Sequence, residues 1–323
     1  MMTSEYTGVI LAAGRGTRMA PFSEKYPKPL LPICNKPVIE YHLDTFKKLG
    51  ILDIVILIGH KGYEIAKYFG DGAAFGVRIR YVEQVSTLGI AHAVGRLEPH
   101  LLRPFLLVLG DIFFVPGDLR QLIRLFEEQG GGAVLATKEE SDPEAIRRNF
   151  SIAVGSDGFV TRVVEKPRYT QNRLKGVGIY LFDLSIFDSI RRTPRTAMRD
   201  EYEITDAIQV LIGDRQPVRA ANVILDDINL TTPADVLRCN LIQARAMSPD
   251  DRIGLNTRVN PDATVEDCVI GSNVDVKHPI KITRSVIFDH TCVTTTQGFE
   301  HCIVTPDVII DCKHDLQLST VAL

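Results

Sequence analysis

Two glycines and four cations, Gly14, Gly16, Arg15, Arg18, Lys25 and Lys28, stand close together in the stretch LAAGRGTRMAPFSEKYPKPLLPICNKP, which runs from Leu11 to Pro37 of this 323-residue chain. Glycine has no Cβ and lets backbone N–H groups approach a polyphosphate, while guanidinium and ammonium groups offset its charge. The loop therefore has the chemistry of a phosphate cradle. It lacks the Gly-Lys-Ser/Thr ending of a P-loop and the third glycine of a dinucleotide loop. On its own, Gly-x-Gly after a strand makes a plain tight turn equally well.

The elements that must carry this loop alternate along the chain. Thr7 to Ala13 is an apolar run of strand length leading straight into the glycines. From Pro37 a helix is expected, with Ile39, Leu43, Phe46 and Leu49 on one face and Gly50 as its stop. Strands are expected at Asp53 to Ile58, Val77 to Val82 and Phe105 to Leu109, and helices at Tyr63 to Phe69, Ile90 to Leu97 and Asp118 to Gln129. Strands apolar on both faces that alternate with helices make an α/β fold, a Rossmann-like, mostly parallel sheet with helices on both faces. Ligands on such sheets bind at the carboxyl ends of the strands, where the glycine loop and Asp111 both fall. Beyond Gly130 the pattern loosens. A hairpin across Ser156-Asp157-Gly158 delivers Glu165-Lys166-Pro167 at its far end, Gly176 to Phe182 and Val218 to Leu225 read as strands, and Ile204 to Ile212 and Pro233 to Met247 as helices.

Bulk properties narrow the class. With 45% hydrophobic and 24% charged residues the chain is an ordinary globular protein of one large and one smaller domain, and its formal net charge of -3 argues against a general nucleic-acid binder. No apolar run has the length of a membrane span, and Met1 to Thr7 is too short and polar for a signal peptide. The cysteines, at 34, 239, 268, 292, 302 and 312, show no zinc spacing, so reduced structural thiols in the cytoplasm are expected. The histidines at 60, 92, 278, 290, 301 and 314 are read as structural.

The tail has its own period. Every seventeenth residue gives Ile253, Ile270, Ile287 and Val304; six later come Val259, Val276, Val293 and Ile310; six later again Val265, Ile282, Phe299 and Leu316. Steps of six, six and five describe about four turns of a left-handed parallel β-helix whose inward residue recurs once per face. Ser248 to Asp251 reads as a linker, giving a catalytic domain over 1–248 and a β-helix domain over 249–323.

The motifs, in this order, resemble the sugar-1-phosphate nucleotidylyltransferases: GRGTRM at Gly14 to Met19, PKPLLP at Pro27 to Pro32, NKP at Asn35 to Pro37. The long-form glucose-1-phosphate thymidylyltransferases, which carry hexapeptide-type tails, are the nearest likeness within the family. The resemblance implies that Leu11, Ala13, Gly14, Arg15, Gly16 and Thr17 wrap a nucleoside triphosphate and that Arg18 and Lys28 bind its phosphates. It implies Asp111 as a Mg²⁺ ligand, although an aspartate after a strand-end glycine also caps turns. The second ligand lies four residues before a proline, which is Asn229 before Pro233, with Asp227 the alternative should the register shift by two. Gln84 and Gly89 match Q-x-x-x-x-G, in which glutamine pairs with the pyrimidine edge and glycine leaves room for the ring. Lys166 and Glu165 match E-K-P, contacting the sugar phosphate and the sugar ring, where a solvated charged turn is the other reading. Glu201 matches the first residue of E-x-x-I-T-D and would reach the sugar hydroxyls, leaving Glu203 as an ordinary first-turn helix residue. Ser151 stands where the family commonly has glycine and Val177 where it has threonine, which reshapes the sugar pocket.

The activity implied is Mg²⁺-dependent condensation of a nucleoside triphosphate, with dTTP or UTP favoured, and a sugar-1-phosphate to an NDP-sugar and pyrophosphate. Guanylyl or adenylyl transfer, a bifunctional nucleotidylyl/acyltransferase and a non-catalytic regulatory relative are the alternatives. No nucleic-acid or membrane partner is expected, and a homo-oligomer is.

Overall fold

The computed structural model describes residues 5–20, 22–197 and 199–317. The chain forms two compact units, one of Met1–Arg15 with His42–Asp227 and one of Gly16–Tyr41 with Ile228–Leu323.

The first unit is built on a nine-stranded sheet. Strands β1 (Thr7–Ala12), β2 (Asp53–Ile58), β3 (Arg78–Glu83) and β4 (Phe105–Leu109) lie parallel in the order β4-β1-β2-β3. Val9, Ile10, Val55, Ile56, Leu57 and Leu107 are wholly buried. Successive residues of these strands point to opposite faces, so both faces are covered. The other strands are β5 (Ala133–Glu139), β6 (Phe150–Val154), β7 (Val160–Glu165), β8 (Leu174–Phe182) and β9 (Val218–Asn222). β8 runs antiparallel to β4, β5 and β6, β7 is antiparallel to β6, and β9 is parallel to β5. The sheet is therefore mixed, with the expected parallel order confined to β1–β4 and to the β5/β9 pair. A bulge between Gly176 and Tyr180 lets β8 pair with β6 at Lys175 and Gly176 and with β4 from Ile179 onward. Phe150, Tyr180 and Phe182 stack at 6.0 and 5.5 Å between successive rings. Truncating one such buried ring costs about 3–5 kcal/mol.

Helices Gly62–Phe69, Ile90–Gly95, Arg120–Gln129 and Ile204–Gly213 fall where apolar periodicity places them. Helices Pro143–Arg147 and Ile186–Arg192 and strand Ile112–Pro116 are additions, and the single strand expected from Val218 to Leu225 is broken at Val223 into β9 and Ile224–Asn229.

In the second unit, Pro32–Ile33 and Lys36–Pro37 form a hairpin whose two turn residues, Cys34 and Asn35, both have positive φ (47° and 61°), as a tight turn matched to strand twist requires. Asn240, wholly buried on helix Pro233–Ala244, fixes it: its Oδ1 accepts from the Cys34 N–H at 2.7 Å and its Nδ2 donates to the Pro32 carbonyl at 3.0 Å. Thr232 and Asp235 cap that helix reciprocally.

The tail makes three parallel ladders. Val259, Val276 and Val293 stack in one, Val265, Ile282 and Phe299 in another, and Ile270, Ile287 and Val304 in the third, which Ile253 opens through a bridge to Ile270. The fourth turn departs from expectation. Thr305 and Val308 close a tight turn, Thr305 N–H donating to the Val308 carbonyl at 2.9 Å, so the chain reverses and Ile310 pairs antiparallel with Ile303. Leu316 falls in the short helix Lys313–Gln317, and its side chain lies outside the described residues. None of the six cysteines forms a disulfide, and five are buried.

Candidate active site

Register brings the glycine loop and Asp111 together. Leu11 of β1 pairs with Leu109 of β4, so the two strands end level and Ala12-Ala13-Gly14 leaves beside Gly110-Asp111. The Gly110 N–H donates to the Leu11 carbonyl at 2.8 Å, and a Cβ on Gly110 would lie 2.8 Å from that same oxygen. Only glycine tolerates this approach. Gly59, at the end of β2, packs in the same way against Ala13, which the sequence reading missed. Beside Gly14 the space is open, with no atom of the described residues within 4 Å of a Cβ placed there. Arg15 is exposed at the loop's end in this unit.

The second unit holds the rest of the loop. Gly16 turns left-handed at φ 65°, Thr17–Met19 follow as one 3₁₀ turn, and the Met19 N–H donates to the Gly16 carbonyl at 2.9 Å. The Lys28 stem covers Gly16, its Cγ 2.9 Å from where a Cβ would sit, and Arg18 is exposed. The Phe22 ring stacks on Phe288 of the coil at 5.4 Å, Tyr26 meets the same ring edge-on at 6.1 Å, and Lys25 pairs with Asp307.

Gln84, 5% exposed, lies just past β3, its main-chain N–H donating to the Ile58 carbonyl at 2.8 Å. Its side-chain Nε2 is 2.9 Å from Nδ1 of His92. Gly89 has φ 104°, and a Cβ there would run into the Tyr202 backbone. The Tyr202 N–H donates to the Leu88 carbonyl at 2.8 Å and its carbonyl accepts from Ala91 at 3.0 Å. On the side where a Cβ would point, Gly89 is therefore met by the Tyr202 backbone.

Ser151, Glu165 and Val177 lie on the neighbouring strands β6, β7 and β8, with Lys166 just past the end of β7. Ser151 pairs with Val164 and Lys175, and Phe150 with Glu165 and Gly176. Lys166 is held at φ 41°, a strained value for a residue with a side chain, while its N–H donates to the Asn149 carbonyl at 2.7 Å. The carboxylate that approaches Glu165 is Glu203, the buried N-cap of helix Ile204–Gly213, and Arg199 bridges them at 3.4 and 2.9 Å. Glu201 is exposed two residues earlier. Burial, and then Glu203, push Glu165 up to about 7, against the pull of Lys166 and Arg199.

Asp227 is committed elsewhere. Its carboxylate meets Nζ of the buried Lys175 at 2.6 Å, and the neighbouring Asp226 meets Lys138 at 2.7 Å. Asn229 ends strand Ile224–Asn229 and belongs to the second unit.

Comparison with known proteins follows the same outline. The family model for nucleotidyl transferases matches residues 7–226. The chain belongs to the nucleotidyl transferase family. Among nucleotidyl transferases it is 35% identical over 311 residues to a glucose-1-phosphate thymidylyltransferase of Streptomyces griseus, spanning 92% of this chain and 83% of that one. It is 36% identical over 262 residues to a low-salt glycan biosynthesis nucleotidyltransferase of Haloferax volcanii, spanning 80% and 71%. A Bacillus anthracis crystal structure assigned to a glucose-1-phosphate thymidylyltransferase, in complex with a sucrose, superposes at a TM-score of 0.65 with 28% identity, over 75% of this chain and 96% of that one. These relatives bear out the likeness to sugar-1-phosphate nucleotidylyltransferases drawn from the motifs.

Sequence reasoning missed three partners in this nucleotidyl transferase: Arg199, Lys175 and His92 as the neighbour of Gln84. Lys175 carried a signal, since it is a cation inside the apolar run of β8 and such a group needs a buried counter-charge. Arg199 and His92 stand beside motif residues without altering the motif.

Proposed function

We propose that this nucleotidyl transferase joins a nucleoside triphosphate to a sugar-1-phosphate, giving an NDP-sugar and pyrophosphate. A phosphate oxygen of the sugar attacks the α-phosphorus and forms a new P–O bond. The bond from that phosphorus to the oxygen bridging the β-phosphate breaks, and its electron pair leaves with pyrophosphate. Both reactants are anions, so positioning and charge cancellation carry the rate rather than proton transfer. The observation that supports this reading most is the β1/β4 register, with Asp111 beside the start of the glycine loop and open space at Gly14.

In this reading Leu11, Ala13, Gly14, Arg15, Gly16 and Thr17 wrap the triphosphate, and Arg18 and Lys28 neutralise it. Gln84 and Gly89 form the base site, and thymine or uracil is favoured. Lys166 meets the sugar phosphate, with Glu165, Ser151, Val177 and Glu201 around the sugar, and the Glu203–Arg199–Glu165 bridge supports Glu203 beside them. In this reading Asp111 supplies a carboxylate oxygen and Asn229 a carbonyl oxygen, hard donors of the kind Mg²⁺ takes one or two at a time from a protein. When bound, the ion would polarise phosphate oxygens and offset charge. A left-handed coil over 249–323, a catalytic region over 1–248, a cytoplasmic location and a homo-oligomer complete the proposal.

Pyrophosphate release with Mg²⁺, measured for dTTP and the four ribonucleoside triphosphates against a panel of sugar-1-phosphates, tests it. A sugar-dependent signal that falls at least about a hundredfold in Asp111→Ala is expected. Silence across the panel from folded protein that still binds a nucleotide would overturn it.

A further inference from the structure

We infer that His92 is a positioning residue for the base: its Nδ1 holds the Gln84 amide in one of its two flips and leaves the carbonyl oxygen to the ligand. The inference rests on the function proposed above, in which Gln84 meets the base. Gln84 cannot shift as a whole, because it is buried and its main chain is tied to Ile58. Its side-chain Nε2, 2.9 Å from Nδ1, is a donor only. With the amide nitrogen facing it, Nδ1 accepts and the proton of the neutral ring sits on Nε2 of the histidine; the opposite flip of Gln84 would need the Nδ1–H tautomer. Among the described residues no group donates to Oε1 of Gln84, so this acceptor and the second amide N–H remain for a ligand.

The histidine is itself held. Its ring lies over Tyr202 at 6.3 Å and 26°, and the Tyr202 main chain clamps Leu88 and Ala91 on either side of Gly89. Flipping Gln84 would set its carbonyl oxygen against the Nδ1 lone pair in this tautomer, so amide and ring are fixed together. A fixed acceptor suits the imide N3–H that uracil and thymine share, whereas cytosine presents a lone pair at N3. The arrangement thus selects between pyrimidines. The charged and titratable groups around the ring are Arg96 on its own helix, the Tyr202 phenol, and Arg195 over the far ring system at 5.7 Å. Burial, and then Arg96, hold His92 below its ordinary value, so the neutral form prevails at neutral pH.

The test compares wild type, His92→Phe and His92→Gln by nucleotide titration and steady-state kinetics with dTTP, UTP and CTP. Phenylalanine keeps the stack on Tyr202 and removes the acceptor. It should raise KM for dTTP and UTP about tenfold, more than it lowers kcat, and narrow the preference over CTP. Glutamine, which can accept through its own carbonyl, should restore much of both. Wild-type affinity for UTP should also fall as the pH is lowered through the titration of His92, because a protonated ring has only donors, and His92→Phe should lose that dependence. Unchanged affinity and base preference in His92→Phe, or UTP binding that tightens on acidification, would overturn the role. Should His92→Phe fail to fold, His92→Gln and the wild-type pH profile decide. Wild-type protein that binds no pyrimidine triphosphate would instead sink the functional reading, and this role with it.

Discussion

His42 lies flat against Phe114, 5.5 Å between centroids and 6° between planes, and neither ring nitrogen has a hydrogen-bond partner among the described residues. Burial drives it down to about 3, so between there and 6.5 the unfolded chain binds a proton that the folded chain refuses. Its contribution to stability therefore rises with pH across that window. Glu165 does the opposite. Burial first and Glu203 second raise it from 4.5 to about 7, so the folded chain holds the extra proton and stability falls as pH rises through that range. The two trends oppose each other between 4.5 and 6.5. His42→Leu should leave the fall attributable to Glu165, and Glu165→Gln should leave the rise attributable to His42, each by up to about 1.4 kcal/mol per pH unit relative to wild type. Urea denaturation at both ends of the overlap measures this, and parallel pH curves for all three proteins would refute it. His42→Leu should also gain about 1–3 kcal/mol near pH 5, because two unpartnered buried nitrogens are gone.

β8 shows both what an element's sequence discloses and what it hides. Its apolar run announces a buried strand, but a strand covered on both faces reads the same in either direction, so its antiparallel course was not legible. The cation inside it is legible, as a charge that needs a buried counter-charge. Lys175 meets Asp227 at 2.6 Å with both side chains almost fully buried, and Glu140 stands at 3.8 Å. Lys175→Met should cost about 3–5 kcal/mol, since it strands a buried carboxylate, and Lys175→Met/Asp227→Leu should recover most of that. Chemical denaturation of the two variants checks it; a double variant no better than the single would show that the pair contributes net stability. At the candidate site, motif spacing singles out the glycine loop, Asp111, Gln84 and the Lys166 turn, which the fold sets at or just past strand ends. It does not disclose the Tyr202 backbone beside Gly89 or the approach of Glu203 to Glu165, because both depend on how the Leu88–Ala91 and Arg199–Glu203 segments pack, which is not written in either segment alone.

The glycine loop crosses from one compact unit to the other between Arg15 and Gly16, although it reads as one motif. The part that carries Arg18 and Lys28 shares its unit with the coil, through Phe22 on Phe288 and Lys25 with Asp307. Phe288→Ala should therefore weaken triphosphate binding severalfold while leaving sugar phosphate binding less affected, which separate KM measurements resolve; equal effects on both substrates would count against it. The coil was legible from its period because inward residues recur at a fixed step, and illegible at its end because Ile310 is apolar in either an added rung or a reversed strand. That fixed step has one more implication. Gly271 to Ile287 is one full circuit, since Ile270 stacks on Ile287. A gene that repeated those codons would encode a chain taller by one strand spacing, about 4.8 Å, with every later side chain facing as before. A single inserted codon would turn the following inward residues outward. Viable length variants among kin of this protein should accordingly differ by whole multiples of seventeen in this region.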